Sequence, residues 1–276
     1  LALPSIGHGA SNEWVVDGSR SVTGKPLLAN DPHLDLGIPI LWYLVRITTP
    51  DMTLTGVTSP GAPVVLLGQN GHIAWGFTTT ESDTQDLFIE MLDPDRPGHY
   101  RTPEGPRPLI EEKIDIAVKG MPPLAFLRRS THRGPIVSDI MGDLNSGGAL
   151  VSLAWTGLSD ADTTAEAIQK INRAKNREEF EAALRLYRSP TQNIAFAATD
   201  GTIGFVNAGD VPIRKSGDGR YPADGATGEG DWTGMVPFDG WPRLFNPPAG
   251  AIVNANNTVA PPDHPYWLGY DHHPGF

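Results

Sequence analysis

The stretch His8–Ser19, HGASNEWVVDGS, decides how the rest of the chain is read. Two small residues, Gly9 and Ala10, lead into Ser11 and Asn12, and the following Trp14, Val15 and Val16 have the aromatic and β-branched character of a strand. A serine hydroxyl is a weak nucleophile until a base takes its proton, and its own α-amine can be that base once the residue becomes N-terminal. An α-amine titrates at about 7.7 to 8.0, so part of it is neutral near physiological pH. Cutting the Ala10–Ser11 bond, by attack of the same hydroxyl on the Ala10 carbonyl in an N-to-O acyl shift, would expose nucleophile and base together. Such a serine taken alone is ordinary loop material, so the remainder of the chain must decide.

With 276 residues, 39% of them hydrophobic, the chain can bury a large core. A formal charge of -11, with 21 basic residues that gather into no patch, argues against a nucleic-acid partner. No apolar run approaches the roughly 20 residues that span a bilayer. The absence of cysteine excludes disulfides, thiolate nucleophiles and sulfur-ligated zinc, without choosing a compartment.

Between Trp14 and Glu90, runs such as WVV, LWYLVRITT, MTLTGVT, PVVLLG and HIAWGFTTT alternate with Gly, Pro and Asp turn signals and read as antiparallel sheet. Pro94 to Pro108 reads as a surface excursion, and the segment from Glu111 to Ile140 as further hairpins. Helix is expected only after Asp160. Thr163 with Glu166 forms one capping box, and Asn176 with Glu179 begins a second helix whose apolar stripe is Phe180, Ala183, Leu184 and Tyr187, with Pro190 beyond its end. Asp200-Gly201 between two β-rich runs is a hairpin signal, and AIVNANN reads as a last strand.

Several segments resemble, in order, the β-subunit of the penicillin acylase (penicillin amidase) family of N-terminal-nucleophile hydrolases. They are SNEWVVDGSRSVTGKPLLANDPHL, TGVTSPGAPVVLLGQNGHIAWGFTTTESDTQDLF, THRGPIV, LAWTGL, NRAKNREEFEAALRLYRSPTQNIAFAATDGTIGFVNAGDVPIR and NPPAGAIVNANNT. The resemblance implies an α+β fold, a four-layer αββα sandwich with the nucleophile at the start of a central strand. It implies that residues 1–10 are the remnant of a spacer, that 11–276 are the N-terminal part of the β-subunit as a single domain, and that Ala10–Ser11 is the cleavage site. An α-subunit is the implied partner, a small-molecule amide the substrate, and the periplasm or the exterior the location.

The same resemblance assigns roles residue by residue. Ser11 matches the nucleophile, and His33 a position beside it whose side chain would orient the hydroxyl. Thr79, through its backbone N–H, and Asn193, through its carboxamide, match the oxyanion donors. Arg214 matches an arginine that positions the asparagine. Leu34, Leu67, Phe77 and Glu81 fall on the acyl pocket, whose first three members are apolar and suit an aromatic or aliphatic acyl group. Asp83, Gln85 and Asp86 fall where family members hold a structural Ca²⁺, a hard cation suited to carboxylates; no cofactor is expected for catalysis. One departure is Ala197-Ala198, where the family's usual pair is Ala-Asp. The alternative expectation is a non-catalytic or unprocessed module acting in binding or structure. A serine hydrolase of the His-Asp type is disfavoured because no G-x-S-x-G elbow is present. The DHHPGF tail and the pairs Glu111-Glu112 and Glu178-Glu179 read as solvated charge.

Overall fold

A computed structural model describes residues 11–34, 37–145 and 149–270. Residues 1–10, read above as a spacer remnant ending at Ala10, and the tail from Asp271 lie outside the described residues. Contacts gather the described chain into two compact units, one of residues 83–159 and 212–235, the other of the remainder.

The larger unit is two stacked sheets with a helical pair. Strand β1 (Asn12–Val16) is the middle of a three-stranded antiparallel sheet, between β2 (Leu27–Asp31) and the strand Ala251–Asn254. The second sheet has seven antiparallel strands. Its order is Arg243–Phe245, Ile203–Ala208, Gln192–Ala198, β6 (Ile73–Thr79), β5 (Leu67–Gln69), β4 (Thr53–Thr58) and β3 (Tyr43–Thr48). β3 closes one edge of this sheet, with Tyr43 60% and Leu44 81% exposed. The core between the sheets is Val15, Ala195, Ala197, Ile203, Phe205 and Ile252. The small residues at positions 195 and 197 let β1 approach closely. On the other face of the same strand, Phe196 packs on Phe180 with ring centroids 4.7 Å apart. Both faces of this strand are therefore covered, which is why residues 194–198 read as an unbroken apolar run rather than an alternating one.

Phe180 belongs to the helix α2 (Arg177–Leu184), which follows α1 (Thr164–Ile171). Asn176 caps α2 as expected, its side chain accepting from Glu179 N–H at 2.9 Å. The first helix differs from expectation. The Thr163 hydroxyl donates to Leu186 O instead of capping, and Asp162 accepts the Thr164 N–H at 2.7 Å. A carboxylate one residue upstream is the better acceptor for a helix start and displaces the hydroxyl. The Asp200-Gly201 hairpin forms as read, with Gly201 at φ 101°.

The smaller unit holds β7 (Gln85–Glu90), which pairs antiparallel with Leu150–Trp155 and parallel with Ala223–Asp224. It also holds the hairpin Ile110–Ile116 with Leu124–Ser130. At its centre the side chain of Arg133, 4% exposed, donates to Glu90, Asp231 and the Gly225 carbonyl, and its guanidinium lies 4.6 Å from the Phe88 ring centroid. Glu90 also accepts from Thr131 and Ser152, so both carboxylate oxygens and every guanidinium nitrogen of this buried pair are hydrogen-bonded. Among the described residues no helix is long and apolar enough to cross a membrane.

Candidate active site

Ser11 stands at the head of β1 and is 5% exposed. With Glu13 and Val15 it lies on the face of β1 that meets the seven-stranded sheet, because strand side chains alternate. Its hydroxyl oxygen accepts the backbone N–H of His33 at 3.3 Å. The His33 ring instead pairs with the Asp31 carboxylate at 2.9 Å. The contact with Ser11 is thus made by the main chain, not by the side chain that the sequence pointed to.

Ser11 and Thr79 line one cavity of about 290 Å³ in the larger unit. Its walls are mostly apolar, and three of the four expected pocket residues, Leu34, Leu67 and Phe77, are among them. Ile168 of α1 and Tyr187 complete the far side, the Tyr187 ring meeting Phe77 edge-on at 6.3 Å. Glu81 is not one of the lining residues; it adopts a left-handed backbone with φ 54°.

Asn193, wholly buried, sits in a chain of carboxamides. Its Nδ2 donates to Thr79 O and to Asn254 Oδ1, each at 3.2 Å, while Asn207 Nδ2 donates to its Oδ1 at 2.9 Å. The donor from Asn207 fixes which way the carboxamide faces, since only the oxygen can accept it.

Two residues that sequence reasoning passed over tie these strands together. Asn30 on β2 donates to Asn12 O at 3.0 Å and to Phe77 O at 2.9 Å, and accepts from Phe77 N at 3.0 Å. β5 pairs with β6 only at Trp75 and Ala74, so its ladder stops short of Phe77, and the Asn30 amide takes the place of a strand there. Gly76 makes this possible: a Cβ would meet the Asn30 side chain at 2.8 Å. Glu13, 1% exposed, accepts from Ala195 N–H through Oε2 at 3.3 Å, and its Oε1 has no partner. Burial pushes its carboxyl well above the usual carboxylate range, against the opposing pull of the Ala195 N–H. A polar residue inside an apolar strand face was the available signal for Glu13; for Asn30 the sequence carried none.

In the smaller unit, Arg214 Nε donates to Asp86 at 2.8 Å, and its Nη2 lies 3.4 Å from Asp83 Oδ1. Trp232 Nε1 donates to the same Asp86 oxygen at 2.5 Å. Arg214 is thus held by two acids of its own unit. Calcium takes six to eight oxygen ligands. Here Asp83 and Asp86 already neutralise a guanidinium, and the Gln85 side chain is exposed and on the opposite face of β7 from buried Asp86. Among the described residues no group of three acids or histidines is placed to hold a metal. These residues by themselves do not fit a calcium cage.

Comparison with known proteins places the chain in a family. The model of the family described as Penicillin amidase matches residues 2–276. Acyl-homoserine lactone acylase QuiP of Pseudomonas aeruginosa is 33% identical over 274 residues, which is 95% of this chain and 32% of that protein. Penicillin acylase 2 proenzyme of Pseudomonas sp. (strain SE83) is 31% identical over 270 residues, 97% of this chain and 34% of its own length. Penicillin G acylase of Escherichia coli is 32% identical over 252 residues, 90% of this chain and 29% of its own. The chain thus spans about a third of the length of these relatives. Among solved structures, a thermostable penicillin G acylase from Alcaligenes faecalis superposes with a TM-score of 0.82 at 28% identity, covering 96% of this chain and 47% of that one. The stacked sheets and flanking helices are accordingly the α+β sandwich of the N-terminal-nucleophile hydrolases. Matched by the family model almost from end to end and by relatives of one kind, this chain belongs to the penicillin amidase family.

Proposed function

We propose that the chain is the nucleophile-bearing part of an amidohydrolase that cleaves linear N-acyl amides. Cleavage between Ala10 and Ser11 frees the serine α-amine. The amine takes the Ser11 hydroxyl proton as Oγ attacks the substrate carbonyl carbon, and it passes that proton to the departing amine as the C–N bond breaks. Water then attacks the resulting ester, releasing the carboxylic acid and restoring the hydroxyl. Thr79 N–H and the Asn193 carboxamide hold the oxyanion, where the loss of one donor costs about 2.7 to 4 kcal/mol of barrier.

The observation that carries this reading is a buried serine at the head of β1, opening on an apolar cavity whose wall includes Thr79. The cavity suits the acyl half of the substrate, aliphatic or aromatic, in keeping with relatives named for acyl-homoserine lactones and penicillins. A companion α-subunit and a periplasmic or secreted location belong to the same reading, on family grounds.

Mass spectrometry of the intact protein tests it. Cleavage between Ala10 and Ser11 is expected, and Ser11→Ala should abolish both that cleavage and hydrolysis of a chromogenic acyl anilide. Cleavage or hydrolysis that persists in Ser11→Ala refutes the proposal and leaves a binding or structural module as the better account.

A further inference from the structure

The VNANN stretch, Val253 to Asn257, has no part in the chemistry proposed above, yet its asparagines reach both proposed oxyanion residues. We infer that Asn254 and Asn256 are positioning residues of the amide-cleaving site, holding the Asn193 carboxamide and the Thr79 main chain so that Asn193 is able to donate a hydrogen bond to the oxyanion. This rests on the reading of Ser11 as nucleophile.

Asn254 lies opposite Glu13 in the register of β1, two residues along from Ser11. Its Oδ1 accepts from Thr78 Oγ1 at 2.6 Å, from Asn256 N at 3.0 Å and from Asn193 Nδ2 at 3.2 Å. One oxygen thereby joins the strand that carries Asn193 to the strand that carries Thr79. Asn256 donates through Nδ2 to Thr79 O at 2.6 Å, the same carbonyl that Asn193 reaches at 3.2 Å.

The difference between those two distances gives the device its logic. An Asn193 N–H that turns to a developing oxyanion must leave an acceptor behind, and a buried acceptor left unpaired is costly. With Asn256 already bonded at the shorter distance, the Thr79 carbonyl stays satisfied when Asn193 lets go. Asn207, donating to Asn193 Oδ1, keeps the carboxamide nitrogen on the correct side while this happens.

Asn256 holds its place against two penalties. Its backbone is left-handed, φ 62°, and its buried Oδ1 has no hydrogen-bond partner. Backbone strain and an unpaired buried oxygen at one residue mark a position kept for something other than stability.

The test uses the intact protein, a chromogenic acyl anilide and rates normalised to chains whose N-terminus is Ser11. Asn256→Gly removes the carboxamide while accepting φ 62° without strain, so it should fold and melt no lower than the parent. The expected result is a kcat lower by on the order of 10-fold to 10²-fold, with KM and the inhibition constant of the product acid within about twofold. Asn256→Asp, of the same shape but unable to donate, should lose a similar factor. An unchanged kcat in Asn256→Gly overturns the assignment, as does a product-acid constant that worsens as much as kcat falls, because that is loss of the pocket and not of the oxyanion donor. Ser11→Ala separates the two layers. Hydrolysis that survives it overturns the serine reading itself, whereas hydrolysis lost there but undiminished in Asn256→Gly overturns the positioning role alone.

Discussion

Replacing Glu13 with glutamine should stabilise the protein by an amount that grows with pH. The carboxyl is buried between β1 and the strand Gln192–Ala198, and burial raises its pKa well above the ordinary value of about 4.3. Below that value both the folded and the unfolded chain hold the proton, and Glu13 costs nothing. Above it the unfolded chain releases the proton while the folded chain retains it. Stability is therefore present in full at low pH and lost as pH rises toward the folded pKa, by about 1.4 kcal/mol per pH unit while that window lasts. Glutamine keeps an oxygen for Ala195 N–H and never ionises. It exchanges the unpartnered Oε1 for an amide group, so at about pH 4 the two proteins should differ by no more than about 1 kcal/mol. Urea unfolding of both proteins at intervals from about pH 4 to about pH 7 measures the difference directly. A gap that stays constant across that range would refute the assignment of Glu13 as a buried, protonated acid.

Two further outcomes follow from the same contacts. Arg133→Met should destabilise by about 3 to 5 kcal/mol, because Glu90 is left buried without its partner, and a second change, Glu90→Leu, should recover part of that loss; denaturant melts of the single and double variants decide it. Asn30→Ala removes three hydrogen bonds and leaves the Phe77 N–H and C=O without the amide that pairs them, which should cost about 2 to 3 kcal/mol in the same assay and raise hydrogen exchange at Phe77.

What could be read from the chain was whatever is decided within a few residues. The Asn176 cap, the Asp200-Gly201 hairpin and the strand that follows Ser11 each rest on neighbours in sequence, and each forms as expected. Ser11 acquires meaning only with the family resemblance, which also supplied Leu34, Leu67 and Phe77 of the cavity wall. What stayed hidden is a partner that arrives from far away or through the main chain. Glu13 meets Ala195 across 182 positions and Asn30 meets Phe77 across 47, separations that no local pattern encodes. His33 was noted for its ring, but it is the peptide N–H that reaches the serine, and sequence letters say nothing about backbone direction. Arg214 was noted as an arginine that positions the asparagine, and the acids that hold its guanidinium, Asp86 and Asp83, lie 128 and 131 positions upstream. Thr163 lost its cap to the better acceptor beside it, Asp162.

The uncovered rim formed by β3 carries a practical consequence. Tyr43 and Leu44 stand out from a strand whose outer peptide groups meet no neighbouring strand among the described residues, so a second molecule is offered both a ladder to extend and greasy side chains to bury. Concentrated samples of this polypeptide on its own should clump through that rim. A lysine at position 44 is the first change to try for keeping them clear.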